Sequence, residues 1–116
     1  MESFVKRSLL FDFYGELLTE HQKQIYQEIV FDDFSISEVA RDEGISRQGV
    51  HDLMKRCDRI LEDYESRLHL VEKFVGIRSR VDEILELTEG DASSADHNRG
   101  RMDKIRKIAQ AIREEL

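Results

Sequence analysis

The stretch Ser35–Ile60, SISEVARDEGISRQGVHDLMKRCDRI, decides the fold. Ser35 followed three residues later by Glu38 is a capping box, in which each side chain answers a backbone donor that the first helical turn leaves unpaired. The helix it opens carries Ile36, Val39 and Ala40 at helical spacing, and Gly44 closes it where the chain must turn through positive φ. Ile45 is expected to return to the core and Ser46 to cap the next helix. Two capped helices joined by so short a turn predict a helix-turn-helix.

In the second of these helices Val50, Leu53, Met54 and Cys57 share one side. Gln48, Asp52, Lys55 and Arg59 therefore point away from it, with Arg47, His51 and Arg56 on the flanks. A recognition helix needs such a face, with donors and acceptors in its first turns for base edges and cations farther along for phosphates. Arg47 and Gln48 are the candidates for base edges, because Arg grips guanine and Gln grips adenine with two bonds each. Lys55, Arg56 and the earlier Arg41 are assigned to phosphates. Ser46 joins them, since the free backbone donors at its helix end suit an anion. Gly49 costs about 1 kcal/mol relative to alanine inside a helix. It reads either as a place where DNA approaches the backbone or as tolerated drift.

Upstream, Phe4, Leu9, Leu10, Phe13 and Leu17 predict one face of a helix ending near Gly15, and Thr19 with Gln22 predicts a second capping box. Ile25, Ile29 and Val30 form the stripe behind it. Downstream, the apolar side of the recognition helix extends through Ile60, Leu61 and Tyr64, and three-four spacing continues from Leu68 to Thr88 with Gly76 as a weak point. One bent helix and two helices meeting near Ser66 both fit. EGDASSADHNRG, residues 89–100, reads as a flexible loop, and a last helix is expected from Met102 to Leu116 with Met102, Ile105, Ile108, Ala109 and Ile112 on one face. The organisation expected is a single domain over 1–116, with a helix-turn-helix core at 19–65 and a helical extension at 66–116 for dimerisation or partner binding.

A chain of 116 residues without proline suits one helical core. The formal charge of −7 argues against a polyanionic partner until its distribution is considered. Residues 1–34 hold three Lys/Arg against seven Asp/Glu, residues 35–61 five against five, and residues 62–116 ten against thirteen. The segment with the recognition helix is the least acidic. No apolar run approaches the roughly 20 residues needed to cross a bilayer, so no membrane insertion and a cytoplasmic location are expected. Cys57 is the single cysteine and reads as a buried structural thiol. His21, His51, His69 and His97 lack metal-ligand spacing, no phosphate loop follows Gly44 and Gly49, and no nucleophile has a base beside it. An enzyme, a metal and a cofactor are accordingly not expected. Arg99, Arg101, Lys104, Arg106 and Lys107 form the densest basic cluster, read as the wet face of an amphipathic helix with nucleic-acid contact as the alternative.

The run from Leu18 to Glu65, LTEHQKQIYQEIVFDDFSISEVARDEGISRQGVHDLMKRCDRILEDYE, resembles the region 4 helix-turn-helix of bacterial sigma factors. Nearly the whole chain resembles the YlxM-type DNA-binding proteins of Gram-positive bacteria, most specifically in LTEHQ, in EGISRQGV and in length. The resemblance implies an all-α fold, sigma region 4-like with additional C-terminal helices. It also implies a regulatory role and a link to the signal recognition particle pathway, with a particle component as a partner. Carried over residue by residue, it gives Arg47, Gln48, His51 and Asp52 to the bases of double-stranded DNA. Gly49 and Asp52 depart from the sigma pattern, which commonly has larger basic or amide side chains there. The chain also lacks the parts with which a sigma factor binds polymerase and melts DNA. The leading expectation is a homodimeric regulator paired along Leu61 to Leu87, and the alternative is an adaptor for a protein or ribonucleoprotein of the targeting machinery.

Overall fold

The computed structural model describes residues 3–88 and 95–115. Among these residues are six α-helices and no strand, so the fold is all-α: α1 (Ser3–Tyr14), α2 (Glu20–Val30), α3 (Ile36–Glu43), α4 (Arg47–Leu68), α5 (Leu70–Thr88) and α6 (Ala95–Glu115). A short 3-10 turn, Gly15–Leu17, follows α1. The chain divides into two compact units, Met1–Val71 and Glu72–Leu116. The expected 19–65 core lies inside the first.

The helix starts follow from local chemistry. Thr19 Oγ1 accepts from the backbone N–H of Gln22 at 3.1 Å while the Gln22 side chain accepts from Thr19 N–H at 3.0 Å. Ser35 and Glu38 do the same at 3.0 and 3.3 Å. Each box satisfies two donors that a helix start otherwise leaves to water. Between α2 and α3 the chain turns through Asp33 at φ 59°, a left-handed conformation that Asp tolerates better than most residues.

The core of the first unit forms where α1, α2, α3 and α4 meet, with Tyr14, Ile25, Tyr26, Val39, Val50, Cys57 and Leu61 fully buried. Removing side chains of this size from water stabilises by roughly 1.5–3 kcal/mol each. Cys57 is buried as expected, and burial pushes its thiol up to about 11. A thiol-specific chromogenic reagent at pH 8 should therefore leave native protein unlabelled and react at one equivalent in denaturant, because the thiolate is the reactive species.

The face of α1 differs from the expected one. Leu10 is buried and Leu9 half-buried, but Phe4, Phe13 and Leu17 are exposed, and Tyr14 and Leu18 take their places. Tyr14 Oη donates to Glu65 at 2.6 Å, and Arg7 donates to Asp58 at 2.7 Å. Both pairs are 51 residues apart, and a constant offset means that α1 and α4 lie side by side and run parallel. Tyr26 Oη donates to the other Asp58 oxygen at 2.8 Å, so one carboxylate ties α1, α2 and α4 together. The Arg7–Asp58 hydrogen bond raises the Arg7 pKa, and burial followed by the same carboxylate raises that of Tyr26.

Two helices, not one bent helix, occupy 47–88, and they part at His69, which adopts φ 57°. The first donors of α5 are answered from elsewhere in the unit. Leu70 N–H donates to Tyr14 Oη at 3.1 Å and Val71 N–H to Glu65 at 2.9 Å. Gly76 does not interrupt α5. Leu61, placed at the start of the expected pairing stripe, is fully buried in the first unit and cannot serve a dimer seam.

In the second unit α6 begins at Ala95, seven residues before the expected Met102, so residues 95–100 are helical rather than loop. The rest of that predicted loop, 89–94, lies outside the described residues. Ile105, Ile108 and Ile112 are half-buried, whereas Met102 and Ala109 are exposed. Arg80 of α5 pairs with Glu115 of α6. No described residue from 72 to 115 is fully buried, and Phe74, Val75, Val81, Leu85 and Met102 are exposed.

Candidate nucleic-acid interface

The turn between α3 and α4 is built from three backbone features. Gly44 takes φ 68°, its N–H reaches Arg41 O at 3.3 Å, and Ile45 N–H reaches Ala40 O at 3.0 Å, the paired bonds of a Schellman ending. Ser46 then caps α4, its hydroxyl accepting from Gly49 N–H at 3.0 Å. A Cβ added at Gly44 meets nothing within 4 Å, so only backbone strain opposes a side chain there. Gly44→Ala should cost about 1–2 kcal/mol, read as a lower urea midpoint at unchanged m-value.

Ile45 corrects its expectation: it is 42% exposed and does not plug the core. A Cβ on Gly49 would lie 3.7 Å from Ile45 Cδ1 and 3.3 Å from Ser46 Oγ. Ile45 would be in ordinary contact with that Cβ, and only the capping Ser46 hydroxyl would have to give by a few tenths of an ångström.

α4 points Val50, Met54, Cys57 and Leu61 inward, and all six candidates on its other sides, Arg47, Gln48, His51, Asp52, Lys55 and Arg56, are exposed. Arg41 on α3 and the capping Ser46 are exposed as well. The face left open by the sequence pattern is open in the fold. Arg41, Arg47, Lys55 and Arg56 make no ion pair with any described residue, although carboxylates are abundant in the chain. Arg59 shares this property and the same outward face, one turn beyond Lys55 and Arg56, and belongs with the candidates. The helical wheel that exposed the others was signal enough to include it.

Sequence pattern did not reveal the bond between Gln48 and Asp52. Gln48 Nε2 donates to Asp52 Oδ1 at 2.9 Å, one helical turn apart. The bond turns the amide so that one N–H is occupied and the carbonyl oxygen is left to accept. A Gln that bonds adenine with both its groups must release or share that N–H. The carboxylate meanwhile subtracts from the positive field of Lys55, Arg56 and Arg59.

Among the described residues no group of three His, Cys, Asp or Glu side chains is arranged to hold a metal, and no helix is long and apolar enough to cross a membrane. The interface offers hydrogen bonds and charge.

Residues 1–101 match the model of a protein family described as "Putative helix-turn-helix protein, YlxM / p13 like", UPF0122. Proteins named UPF0122 protein from Streptococcus pneumoniae strains Hungary19A-6 and CGSP14 are each 41% identical to the chain over 87 residues, covering 74% of it and 78% of the relative.

Proposed function

Since the chain belongs to the UPF0122 family of YlxM/p13-like helix-turn-helix proteins, we propose that it is a cytoplasmic, non-enzymatic regulator that binds double-stranded DNA through the start of α4. The observation that carries this reading is the joint exposure of Arg47, Gln48, His51, Asp52, Lys55 and Arg56 on the side of α4 away from the core. Arg47, Gln48, His51 and Asp52 stand in the first two turns, where base edges are read, and Lys55 and Arg56 follow, with Arg41 and Ser46 beside them, for phosphates.

The regulator works as a homodimer in this proposal. The second unit buries no described side chain completely and exposes Phe74, Val81 and Leu85 along α5 at spacings of seven and four residues. A helix pair of this kind gains stability by covering that stripe with another copy. Two recognition helices then combine their contacts on a symmetric site. A physical role beside the signal recognition particle, as a protein-binding adaptor, is the second reading, favoured by the net charge of −7.

Selection of bound duplexes from a random pool separates them. The regulator enriches a defined sequence, while the adaptor binds no duplex even at low salt. Arg47→Ala should weaken the enriched site by about 1–3 kcal/mol and relax its sequence. Lys55→Ala should weaken all duplexes alike and lower the salt slope by about 0.9. Asp52→Asn should strengthen binding to duplexes of random sequence by up to about 1 kcal/mol, measured by fluorescence anisotropy, because it removes one like charge near the phosphates.

A further inference from the structure

α6 carries a second cationic face that α4 does not explain. Arg99, Arg106 and Arg113 recur every seven residues, which on an α-helix sets them on one side about 10.5 Å apart. Met102 and Ala109 fall between them at the same side, and all five side chains are exposed. Two carboxylates of this unit are engaged with other cations: Asp103 lies 3.5 Å from Lys107, and Glu115 pairs with Arg80. Arg99, Arg106 and Arg113 bond and ion-pair with no described residue. Arg99 and Arg106 line a shallow recess with Gly100, Met102 and Asp103, where a Cβ on Gly100 would meet nothing within 4 Å.

The helix has six Lys/Arg against four Asp/Glu, in a chain whose formal charge is −7. A net positive helix in an acidic protein, with three of its arginines aligned on one side and Asp103 beside them held by Lys107, fits an extended polyanion. We propose that the Arg99–Arg106–Arg113 face of α6 is a second DNA-contacting surface, which grips the phosphate backbone of a duplex without reading its sequence. This rests on the DNA-binding reading and adds to it a separate element. Arginine suits the task because its planar fork meets two phosphate oxygens at once, and the small or flexible residues between leave room for the sugar-phosphate ridge.

The test uses the full chain and a 30-base-pair duplex of random sequence, followed by anisotropy from 25 to 200 mM salt. R99Q/R106Q/R113Q removes three charges while keeping good helix formers, and circular dichroism checks that helicity is retained. With each phosphate contact worth about 0.9 in the salt slope, the slope should fall by about 2.7. Wild type should then lose about forty-fold more affinity than the variant between 50 and 200 mM salt. R99K/R106K/R113K should keep most of the slope, since charge rather than bidentate geometry dominates that quantity. A slope unchanged in the Gln variant overturns the proposal, as does failure of the intact chain to bind any duplex. R47A/K55A/R56A distinguishes the two surfaces. If it binds like wild type while the α6 variant does not, the α4 reading fails and the α6 surface stands. If it alone loses binding, the α6 surface falls.

Discussion

Tyr14→Ala should lower stability by about 3–5 kcal/mol and Tyr14→Phe by about 1–3 kcal/mol, both read from urea unfolding. The alanine variant loses an aromatic ring that is 1% exposed and leaves a cavity where α1 meets α4. The phenylalanine variant keeps the ring and deletes one oxygen, which donates to Glu65 and accepts from Leu70 N–H. Both bonds are part-buried, and each partner would lose a bond that water only partly replaces. Burial, reinforced by Glu65, raises the Tyr14 pKa, so the hydroxyl stays a donor throughout the physiological range. A loss confined to the alanine variant would mean that Tyr14 acts by volume alone and that the start of α5 is held by other means.

Asp58→Ala should cost about 2–4 kcal/mol, because it strands two donors at once. The Arg7 guanidinium loses its 2.7 Å partner, and the Tyr26 hydroxyl, on a ring with no exposure, loses its 2.8 Å acceptor. Asp58→Asn keeps an acceptor for Tyr26 but not the charge facing Arg7, and should cost less than half as much. A double-mutant cycle with Arg7→Met measures the pair directly. An interaction energy near zero there would reduce the Arg7 contact to a surface ion pair.

The parts of the fold legible in the sequence are those whose causes lie within a few residues. Thr19 with Gln22, Ser35 with Glu38, Gly44 and Ser46 set helix ends by bonds to their immediate neighbours, and each stands as its pattern implies. The outward face of α4 was legible for the same reason, since its inward face is a clean stripe. The inward side of α1 was not, because LLFDFYGELL offers apolar residues on nearly every side and the choice rests with α2 and α4. The Arg7–Asp58–Tyr26 cluster and the bond from Leu70 N–H to Tyr14 join residues more than thirty positions apart, which no local pattern encodes. His69 carries no glycine or proline signal for the break it makes. The start of α6 was hidden because residues 95–100 have no apolar period.

The parallel alignment of α1 with α4 has a consequence for synthesis. The contacts that seat α1 come from residues added 51 positions later. At roughly 5–20 residues per second that is a delay of about 3–10 s. Throughout it, Leu10 and Tyr14 have no α4 to settle against, and the nascent segment is open to whatever holds apolar chains near the ribosome. Once the first of the two contacts closes, the second follows almost without further loop entropy, so α1 docks in one step and completes the wall behind α4.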